Sequence, residues 1–352
     1  MNQTFLRDFE GYCIETVKED MIADFMRFMS ENHDPACLLA VSKCFIDKQF
    51  YNSGQNCYNI LTAKKKEDAQ ILGVIAFVET ANYDRTIGDD NFVWITNWLA
   101  KKETYPTAGL NLLSSLFQYK QKVNIGTVCY NETAGAIYKA MRFKTGELKH
   151  FFQVNEHLRQ TVLIQHYDPP KRNRQRLPEN RSYSLCPMDP ADLDVLQDRM
   201  AVKKTKDYFI NKYCSSPFYH YMLKVIKKDG IPISLVVLRV DAYQGIKAIR
   251  VVDFWGDAPA LQYMNTAFQE LLSDLSAEFL DFYCYGIDED VMEQAGFSQN
   301  TMEGHLMVPC YFEPFRPVNV KINFAYRMRD EEAVTVFKGD GDREFPRVIK
   351  EI

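Results

Sequence analysis

The sequence has few of the features that mark secreted, metal-binding, membrane-embedded or nucleic-acid-binding proteins. Its nine cysteines are scattered without a Cys-x-x-Cys pair, and none of its six histidines has a ligand spacing, so neither a disulfide framework nor a metal site is predicted. The net charge of −5 argues against a dedicated nucleic-acid binder. No run approaches the ~20 apolar residues of a membrane span, and the N-terminus lacks the basic and apolar regions of a signal peptide. We expect a cytoplasmic protein.

The stretch 92–143 carries the strongest structural pattern. Phe92–Trp98 is a run of large apolar and β-branched residues, which predicts a strand buried on both faces. A helix is predicted over 107–120, because a proline precedes it and its apolar residues have 3–4 spacing. A second strand is predicted over 123–130 and a second helix over 131–143. This βαβα order implies two parallel, adjacent strands.

The first turn of the first helix has the properties of a phosphate site. Thr107, Ala108 and Gly109 have small side chains, so an anion can approach the backbone closely. A helix start directs its N–H groups and its positive dipole end at such an anion. Leu110, which follows, is expected to open the inward apolar face. Small residues at helix starts are also common in proteins that bind nothing there, so both interpretations stay open.

This segment resembles the GNAT acyltransferase superfamily, whose members bind acyl-CoA over such a strand, turn and helix. The block Asn131–Phe143 is similar to the family's Asn-x-x-Ala…Tyr-x-x-x-Gly-Phe signature, with Ala134 and Tyr138 at motif positions and Arg142 in place of the usual glycine. The turn departs further, since over 104–109 only the last position matches the family pattern.

The resemblance implies an α/β (α+β) fold in which a mixed, mostly antiparallel sheet is flanked by helices. It also implies acetyl-CoA, or another acyl-CoA, as co-substrate and no metal. The implied acyl-CoA site consists of residues from the strand, the turn and the second helix: Asn97, Trp98, Leu99, Thr107, Ala108, Gly109, Leu110, Asn131, Ala134 and Tyr138.

The resemblance further implies how the reaction runs. A substrate amine attacks the thioester directly, and Tyr138 is the implied acid for the departing thiolate. Backbone N–H groups around Asn97 and Trp98 would stabilise the oxyanion. The family's base often lies on the first strand, yet Phe92–Trp98 carries no acid. Four candidates lie on neighbouring or equivalent elements: Glu79, Asp90, His150 and Asp253. A solvent-relayed base is a further alternative.

The pattern of the second half predicts a repeat of the first with a period of about 155 residues. A basic, proline-rich linker is predicted over 166–182. The apolar run Ile249–Trp255 predicts another buried strand, and Gly296-Phe297 matches the Gly-Phe that ends the family's motif helix. We therefore predict two tandem GNAT-like domains, 1–165 and 183–352.

Three further elements complete the predicted domains. The pattern of 37–49 predicts one helix, and that of 190–200 predicts a helix early in the second domain. The alternation in 147–152 predicts an antiparallel strand that closes the first domain.

The expected function is acyl-CoA-dependent N-acylation of an amino sugar or sugar-nucleotide, and a homodimer is the expected assembly. Two blocks, at 212–219 and 338–342, resemble tandem GNAT-like proteins associated with bacterial surface-polysaccharide synthesis. The aromatic-rich stretch 209–221 suits either sugar rings or a core, and the acidic stretch 337–346 either a cation or a surface turn. Two other functions stay open: a non-catalytic pair of domains that binds a ligand or partner, and an aminoacyl-tRNA-dependent transferase.

Overall fold

The computed structural model describes residues 6–101, 105–121, 124–168, 180–312, 316–329 and 334–341. The chain divides into two compact units, and each is discontinuous in sequence. Unit 1 contains Met1–Val128, Ala325–Asp330 and Gly341–Ile352, and unit 2 contains Cys129–Phe324 and Glu331–Asp340. Most of the predicted linker, residues 169–179, lies outside the described residues.

Unit 1 is built on one main sheet with helices packed against it, beside a separate two-stranded sheet. Its strands are β1 (Arg7–Asp8), β2 (Tyr12–Thr16), β3 (Tyr51–Asn52), β4 (Cys57–Tyr58), β5 (Ile60–Lys65), β6 (Ile71–Glu79), β7 (Phe92–Ala100) and β8 (Asn124–Val128). Its helices are α1 (Ile22–Asn32), α2 (Leu38–Val41), α3 (Lys43–Phe50), α4 (Thr80–Tyr83) and α5 (Ala108–Tyr119). The main sheet runs β1-β2-β5-β6-β7-β8, with antiparallel pairing up to β7 and a parallel β7–β8 pair, and the strand β17 (Asn323–Arg327), whose last three residues belong to unit 1, follows β8. The strands β3 and β4 pair with each other in a separate two-stranded sheet.

The predicted buried strand and the helix after it are both present in unit 1. The first six residues of β7 are buried, and every residue of β6 beside it is buried too. The inward face of α5 includes the buried Leu112, Leu113 and Leu116, whereas Leu110 is 48% exposed. The prediction that Leu110 faces inward is therefore wrong.

The single helix predicted over 37–49 is divided into α2 and α3. Ser42 between them has extended backbone angles, φ −128° and ψ 99°. Its hydroxyl oxygen accepts the N–H of Phe45 at 3.2 Å, which caps α3. Serine is favoured at such helix starts because its side chain replaces a missing backbone partner.

Unit 2 is built on a second sheet. Its elements are α6 (Glu132–Ala140), β9 (Lys144–Glu147), β10 (Lys149–Val154), β11 (Tyr183–Pro187), α7 (Lys206–Phe209), β12 (Tyr221–Lys228), β13 (Ile231–Tyr243), β14 (Ile246–Gly256), α8 (Asn265–Asp274), β15 (Ala277–Tyr285), α9 (Glu289–Gln294), β16 (Ser298–Asn300) and β18 (Val336–Phe337). The strand β17 (Asn323–Arg327) contributes residues to both units. The order β11-β12-β13-β14-β15-β10-β16 contains one parallel pair, β14–β15.

The strand β10 corrects the expectation that 147–152 closes the first domain. It pairs with β15 and β16 in the second sheet. Its two neighbouring phenylalanines, Phe151 and Phe152, each enter a hydrophobic cluster of unit 2. Because both faces of β10 are buried there, the segment 1–165 predicted as one domain spans both units.

The helix predicted over 190–200 is replaced by a short 3₁₀ turn, Pro190–Asp194. The Asp198 carboxylate accepts the N–H groups of Met200 and Lys204 at 3.1 and 3.3 Å, which offers this backbone an alternative to helical bonding. The expected fold class is nevertheless confirmed, with two mixed, mostly antiparallel sheets flanked by helices. Within the described ranges, no helix combines the length and apolar character needed to cross a bilayer.

Candidate functional site

The parallel ladder of unit 1 ends while its first strand continues. The strands β7 and β8 pair from Phe92–Asn124 to Ile95–Thr127, yet β7 runs on to Ala100. The Thr127 hydroxyl donates to the Ile95 carbonyl oxygen at 2.9 Å, and a side chain thereby takes the place of the next backbone partner. We call the end of this ladder the first splay.

A β-bulge lies at the first splay. Ala76 of β6 faces Asn97, and its neighbour Phe77 faces Ile95, so Thr96 is the extra residue on β7. The Thr96 hydroxyl donates to the Ala76 carbonyl oxygen at 3.1 Å. A bulge bends its strand and increases the local twist, which explains why β7 turns away from β8 here. The sequence gives no signal for it, since no glycine marks the position.

The start of α5 lies against the end of β7. The Trp98 indole N–H donates to the carbonyl oxygen of Gly109 at 3.0 Å. A Cβ atom at Gly109 would lie 3.1 Å from the Cβ of Ala100, so a larger residue would push the helix off the strand. Thr107 precedes the helix without a side-chain cap. The first splay therefore has a helix N-terminus with small side chains beside it.

Asn97 is the first residue of β7 beyond the bulge. It is 7% exposed, and its Oδ1 atom has no hydrogen-bond partner among the described residues. Successive strand residues point to opposite faces of a sheet, and Trp98 points towards α5. Asn97 therefore lies on the face opposite α5.

The motif residues of the second predicted helix belong to unit 2. The Asn131 side chain accepts the N–H of Ala134 at 2.9 Å and so caps α6. Tyr138 is 1% exposed and packs against the rings of Tyr130 and Phe143, at centroid distances of 5.6 and 5.1 Å. Asn131 and Ala134 thus have a local structural role besides the one the resemblance implies.

Three of the four base candidates are buried and have partners. The Glu79 carboxylate accepts hydrogen bonds from Lys120 Nζ at 2.6 Å and from Asn91 Nδ2 at 2.5 Å. His150 Nε2 lies 3.0 Å from an Asp281 carboxylate oxygen, and burial lowers the pKa of His150. Asp253 is fully buried, with partners described below, whereas Asp90 is exposed at the end of a 3₁₀ turn.

Unit 2 contains a second splay with the same register. The ladder between β14 and β15 ends at Val251–Phe282. Val237 of β13 faces Asp253, and its neighbour Leu238 faces Val251, so Val252 is the bulged residue. Val251, Val252 and Asp253 thus occupy in unit 2 the positions of Ile95, Thr96 and Asn97 in unit 1, 156 residues later in the chain.

The chain itself occupies the second splay. We call Val336–Asp340 the inserted segment. Its strand β18 pairs with β15, Phe337 facing Cys284. Its Gly339 touches β14, since a Cβ atom there would lie 2.8 Å from the Val252 carbonyl oxygen. The inserted segment therefore contacts both separated strands.

A buried ionic cluster holds the inserted segment. Lys204 Nζ lies 2.6 Å from Asp253 Oδ1 and 2.7 Å from Asp340 Oδ1. The Tyr213 hydroxyl donates to Asp253 at 2.7 Å, and Lys212 donates to the Gly339 carbonyl oxygen at 2.8 Å. Burial opposes the charged form of Lys204, but the two carboxylates outweigh it and raise the pKa of Lys204.

The ionic cluster and the aromatic packing beside it show the roles of residues in the acidic stretch 337–346 and the aromatic-rich stretch 209–221. Asp340 is a buried ion-pair partner and not part of a surface turn, while residues 342–346 lie outside the described residues. Within the stretch 209–221, Phe209 and Tyr213 are buried, and Phe209 stacks on Trp255 at 5.2 Å, as a core would. In the part of the chain that the structure describes, no group of three His, Cys, Asp or Glu residues is placed to hold a metal ion.

Two solved structures resemble the chain over most of its length. One is a conserved protein of unknown function and probable N-acyltransferase from Enterococcus faecalis V583, with a TM-score of 0.52 and 9% identity over 90% of this chain and 72% of that one. Another is a GCN5-related N-acetyltransferase from Anabaena variabilis ATCC 29413, with a TM-score of 0.50 and 10% identity over 91% and 73%. No protein-family model and no curated protein matches the sequence. At this identity the likeness shows the fold alone, which the chain shares with these two structures.

Proposed function

We propose that the protein is an acyl-CoA-dependent N-acyltransferase whose acyl-CoA binds at the first splay. One observation carries the proposal: the ladder end at Ile95, the bulge at Thr96 and the small-residue helix start Thr107–Gly109 lie together in unit 1. The separated edge of β7 offers backbone groups to the amide-bearing pantetheine arm, as a sheet edge does to an added strand. The start of α5 offers its N–H groups to the pyrophosphate.

The proposed reaction is a direct transfer. The lone pair of the acceptor amine forms an N–C bond with the thioester carbonyl carbon, and the C–S bond breaks. Backbone N–H groups near Asn97 and Trp98 stabilise the oxyanion, while Leu99 and Leu110 contact the cofactor. Tyr138 gives a proton to the departing thiolate, which leaves as CoA, and the proton that the newly bonded nitrogen releases restores the Tyr138 hydroxyl through solvent.

The proton of the acceptor ammonium passes to solvent before the attack. Of the buried carboxylates considered as bases, Glu79 is paired with Lys120 and Asp253 with Lys204. Taking up a proton would leave the buried cation Lys204, or the partly buried cation Lys120, without its partner, which is costly. A solvent-relayed base is therefore the alternative that fits these pairings.

The proposed acceptor is the amine of an amino sugar or of a sugar-nucleotide, in bacterial surface-polysaccharide synthesis. Support comes from the sequence blocks at 212–219 and 338–342. We propose acetyl as the acyl group, a cytoplasmic location, and a homodimer as the assembly to test first.

The decisive experiment is calorimetric titration with acetyl-CoA and with desulfo-CoA. We expect wild-type protein to bind both, and Gly109→Trp to bind at least about tenfold more weakly, since its side chain would fill the space between α5 and Ala100. Val195→Trp, at a 54% exposed position in unit 2, is the matched control. Wild-type protein that binds neither ligand would end the acyltransferase proposal.

A second experiment tests Tyr138. Once an amino sugar that is turned over has been found, Tyr138→Phe should lower kcat by about a hundredfold or more while leaving the acetyl-CoA affinity unchanged, as loss of a general acid would. Unchanged turnover would exclude Tyr138 as the acid.

The pairing of the buried carboxylates favours one other candidate function, a non-catalytic protein that binds a ligand at the first splay. Catalysis without a dedicated base is less efficient, whereas binding needs none. Acetyl-CoA binding without turnover of any amine would favour this candidate.

A further inference from the structure

The inference concerns Asn97 and the amine that attacks the thioester. Buried polar atoms are almost always hydrogen-bonded, and an orphan costs about 1–3 kcal/mol. Among the described residues of unit 1, the orphaned side-chain atoms are Asn59 Oδ1, Thr62 Oγ1, Trp94 Nε1 and Asn97 Oδ1. Thr62 and Trp94 lie within paired parts of the sheet. Asn59 lies between β4 and β5. Of these four residues, Asn97 alone lies beyond the ladder end, where a ligand is proposed to bind.

The equivalent position in unit 2 shows what such a side chain binds. Asp253 is likewise the first residue after the bulge, and its Oδ1 atom lies 2.6 Å from Nζ of Lys204. The Oδ1 atom at this position thus holds the terminal nitrogen of an alkylamine, while Oδ2 accepts the Tyr213 hydroxyl. In unit 2 that nitrogen is supplied by the chain itself.

The two side chains differ in what they do to an amine. A buried carboxylate stabilises the ammonium form, and the pKa of Lys204 is raised accordingly, although burial alone would lower it. An ammonium has no lone pair and cannot attack a thioester. A carboxamide oxygen accepts an N–H without a net charge of its own, so it orients the amine and does not hold it protonated.

We propose that the Asn97 carboxamide oxygen accepts a hydrogen bond from the acceptor amine and positions its neutral, nucleophilic form against the thioester. This role rests on the proposed acyltransferase function. This role also fixes the side of the sheet from which the amine approaches, because Asn97 lies on the face opposite α5. The amine approaches from that face, and the helix start that receives the pyrophosphate lies on the other.

The test uses the full-length protein with acetyl-CoA, and with glucosamine and UDP-glucosamine as probe acceptors. Asn97→Leu should raise the KM for the amine about tenfold or more, with the acetyl-CoA affinity within about twofold of wild type. Asn97→Asp should lower kcat and shift the acidic limb of the pH profile of kcat to higher pH, since its carboxylate holds the bound amine protonated. Thr62→Val, which removes another orphaned atom of the same sheet, is the control and should change neither value.

A readout that needs no turnover accompanies the kinetics. In protein labelled with ¹⁵N at asparagine, the side-chain amide resonance of Asn97 should shift on addition of glucosamine and stay in place with N-acetylglucosamine, which has no free amine. A shift without acetyl-CoA binding would keep the amine site and overturn the acyltransferase proposal. Turnover with unchanged KM and pH profile in both Asn97 variants would overturn the inference alone. No turnover and no shift would overturn it as well.

Discussion

The two splays share one backbone geometry and differ in what lies next to the bulge. Each combines a parallel ladder that stops, a bulge one residue later, and a buried polar side chain after the bulge. In unit 2 that side chain is the carboxylate of Asp253, bonded to Lys204 and Tyr213. In unit 1 it is the amide of Asn97, whose oxygen has no partner among the described residues.

This difference indicates that the second splay stabilises the fold of unit 2, whereas the first splay is proposed to bind a ligand. The inserted segment satisfies the strand edges and the charges of the second splay, so unit 2 gains packing there. Among the described residues, no strand pairs with β7 beyond Ile95 on the side of β8. The same fold element thus completes the core in one unit and leaves an edge for a ligand in the other, at a cost in stability that a binding site commonly carries.

The largest expected effect comes from breaking the ionic cluster of the second splay. Lys204→Met leaves Asp253 and Asp340 without their shared cation, and we expect the free energy of unfolding to fall by about 3–5 kcal/mol. Denaturant unfolding followed by tryptophan fluorescence measures it. Lys206→Met, which removes a solvent-exposed pair with Asp194, should cost less than about 1 kcal/mol. Equal effects of the two variants would contradict the cluster's role.

A smaller effect is expected from enlarging the inserted segment. Gly339→Ala places a Cβ atom 2.7 Å from the Tyr213 hydroxyl and 2.8 Å from the Val252 carbonyl oxygen. We expect a loss of about 1–3 kcal/mol in the free energy of unfolding. Gly54→Ala, whose nearest neighbour is the Asn52 side chain at 3.3 Å, is the control. Full stability of Gly339→Ala would show that the segment is only loosely held.

The comparison predicts an effect of opposite sign at the first splay. Asn97→Leu removes an orphaned acceptor, so the free energy of unfolding should stay the same or rise by about 1 kcal/mol. Thermal unfolding without ligand, read beside Lys204→Met, is the measurement. A loss of 2 kcal/mol or more, on the order of a broken buried hydrogen bond, would mean that Asn97 has a structural partner after all.

The subtlest difference expected between the units is in their response to acid. Burial lowers the pKa of His150 from 6.5, and its hydrogen bond to Asp281 only partly opposes this. The stability that His150 contributes is therefore present above pH 6.5 and is lost as pH falls towards the folded-state pKa, because the unfolded chain takes up the proton first. The one histidine of unit 1, His33, is exposed. Amide exchange at about pH 7.5 and 5.5 should show protection lost in β10 and β15 and kept in β5 and β6; equal losses would contradict this.

Local patterns in the sequence predict the elements of this fold well. The apolar run from Phe92 predicts β7, and the Asn131 cap marks the start of α6. The same patterns do not predict which distant segments pair with each other. The alternation in 147–152 indicates a strand, yet nothing in it indicates that β15 is its partner. Strand periodicity fixes which faces are apolar and does not name the neighbour.

The candidate site was predictable only in part for the same reason. Small residues at Thr107–Gly109 are visible in the sequence, whereas the bulge at Thr96 follows from the pairing of two strands. The inserted segment is even harder to predict from the sequence, since its strand β18 has only two residues and therefore shows no strand periodicity. From the sequence, Asp253 is a candidate base, because its ion-pair partner Lys204 lies 49 residues away and no local pattern links the two.

The placement of β17 has a consequence for how the protein is made. The strand β8 pairs with β17, whose Ala325–Arg327 belong to unit 1, about 200 residues beyond Val128. A ribosome that adds about 5–20 residues per second needs roughly 10–40 s to supply that strand. Until then β8 is an unpaired edge, and such edges pair readily with other chains. Slowing elongation after Val128 should therefore lower the yield of soluble protein.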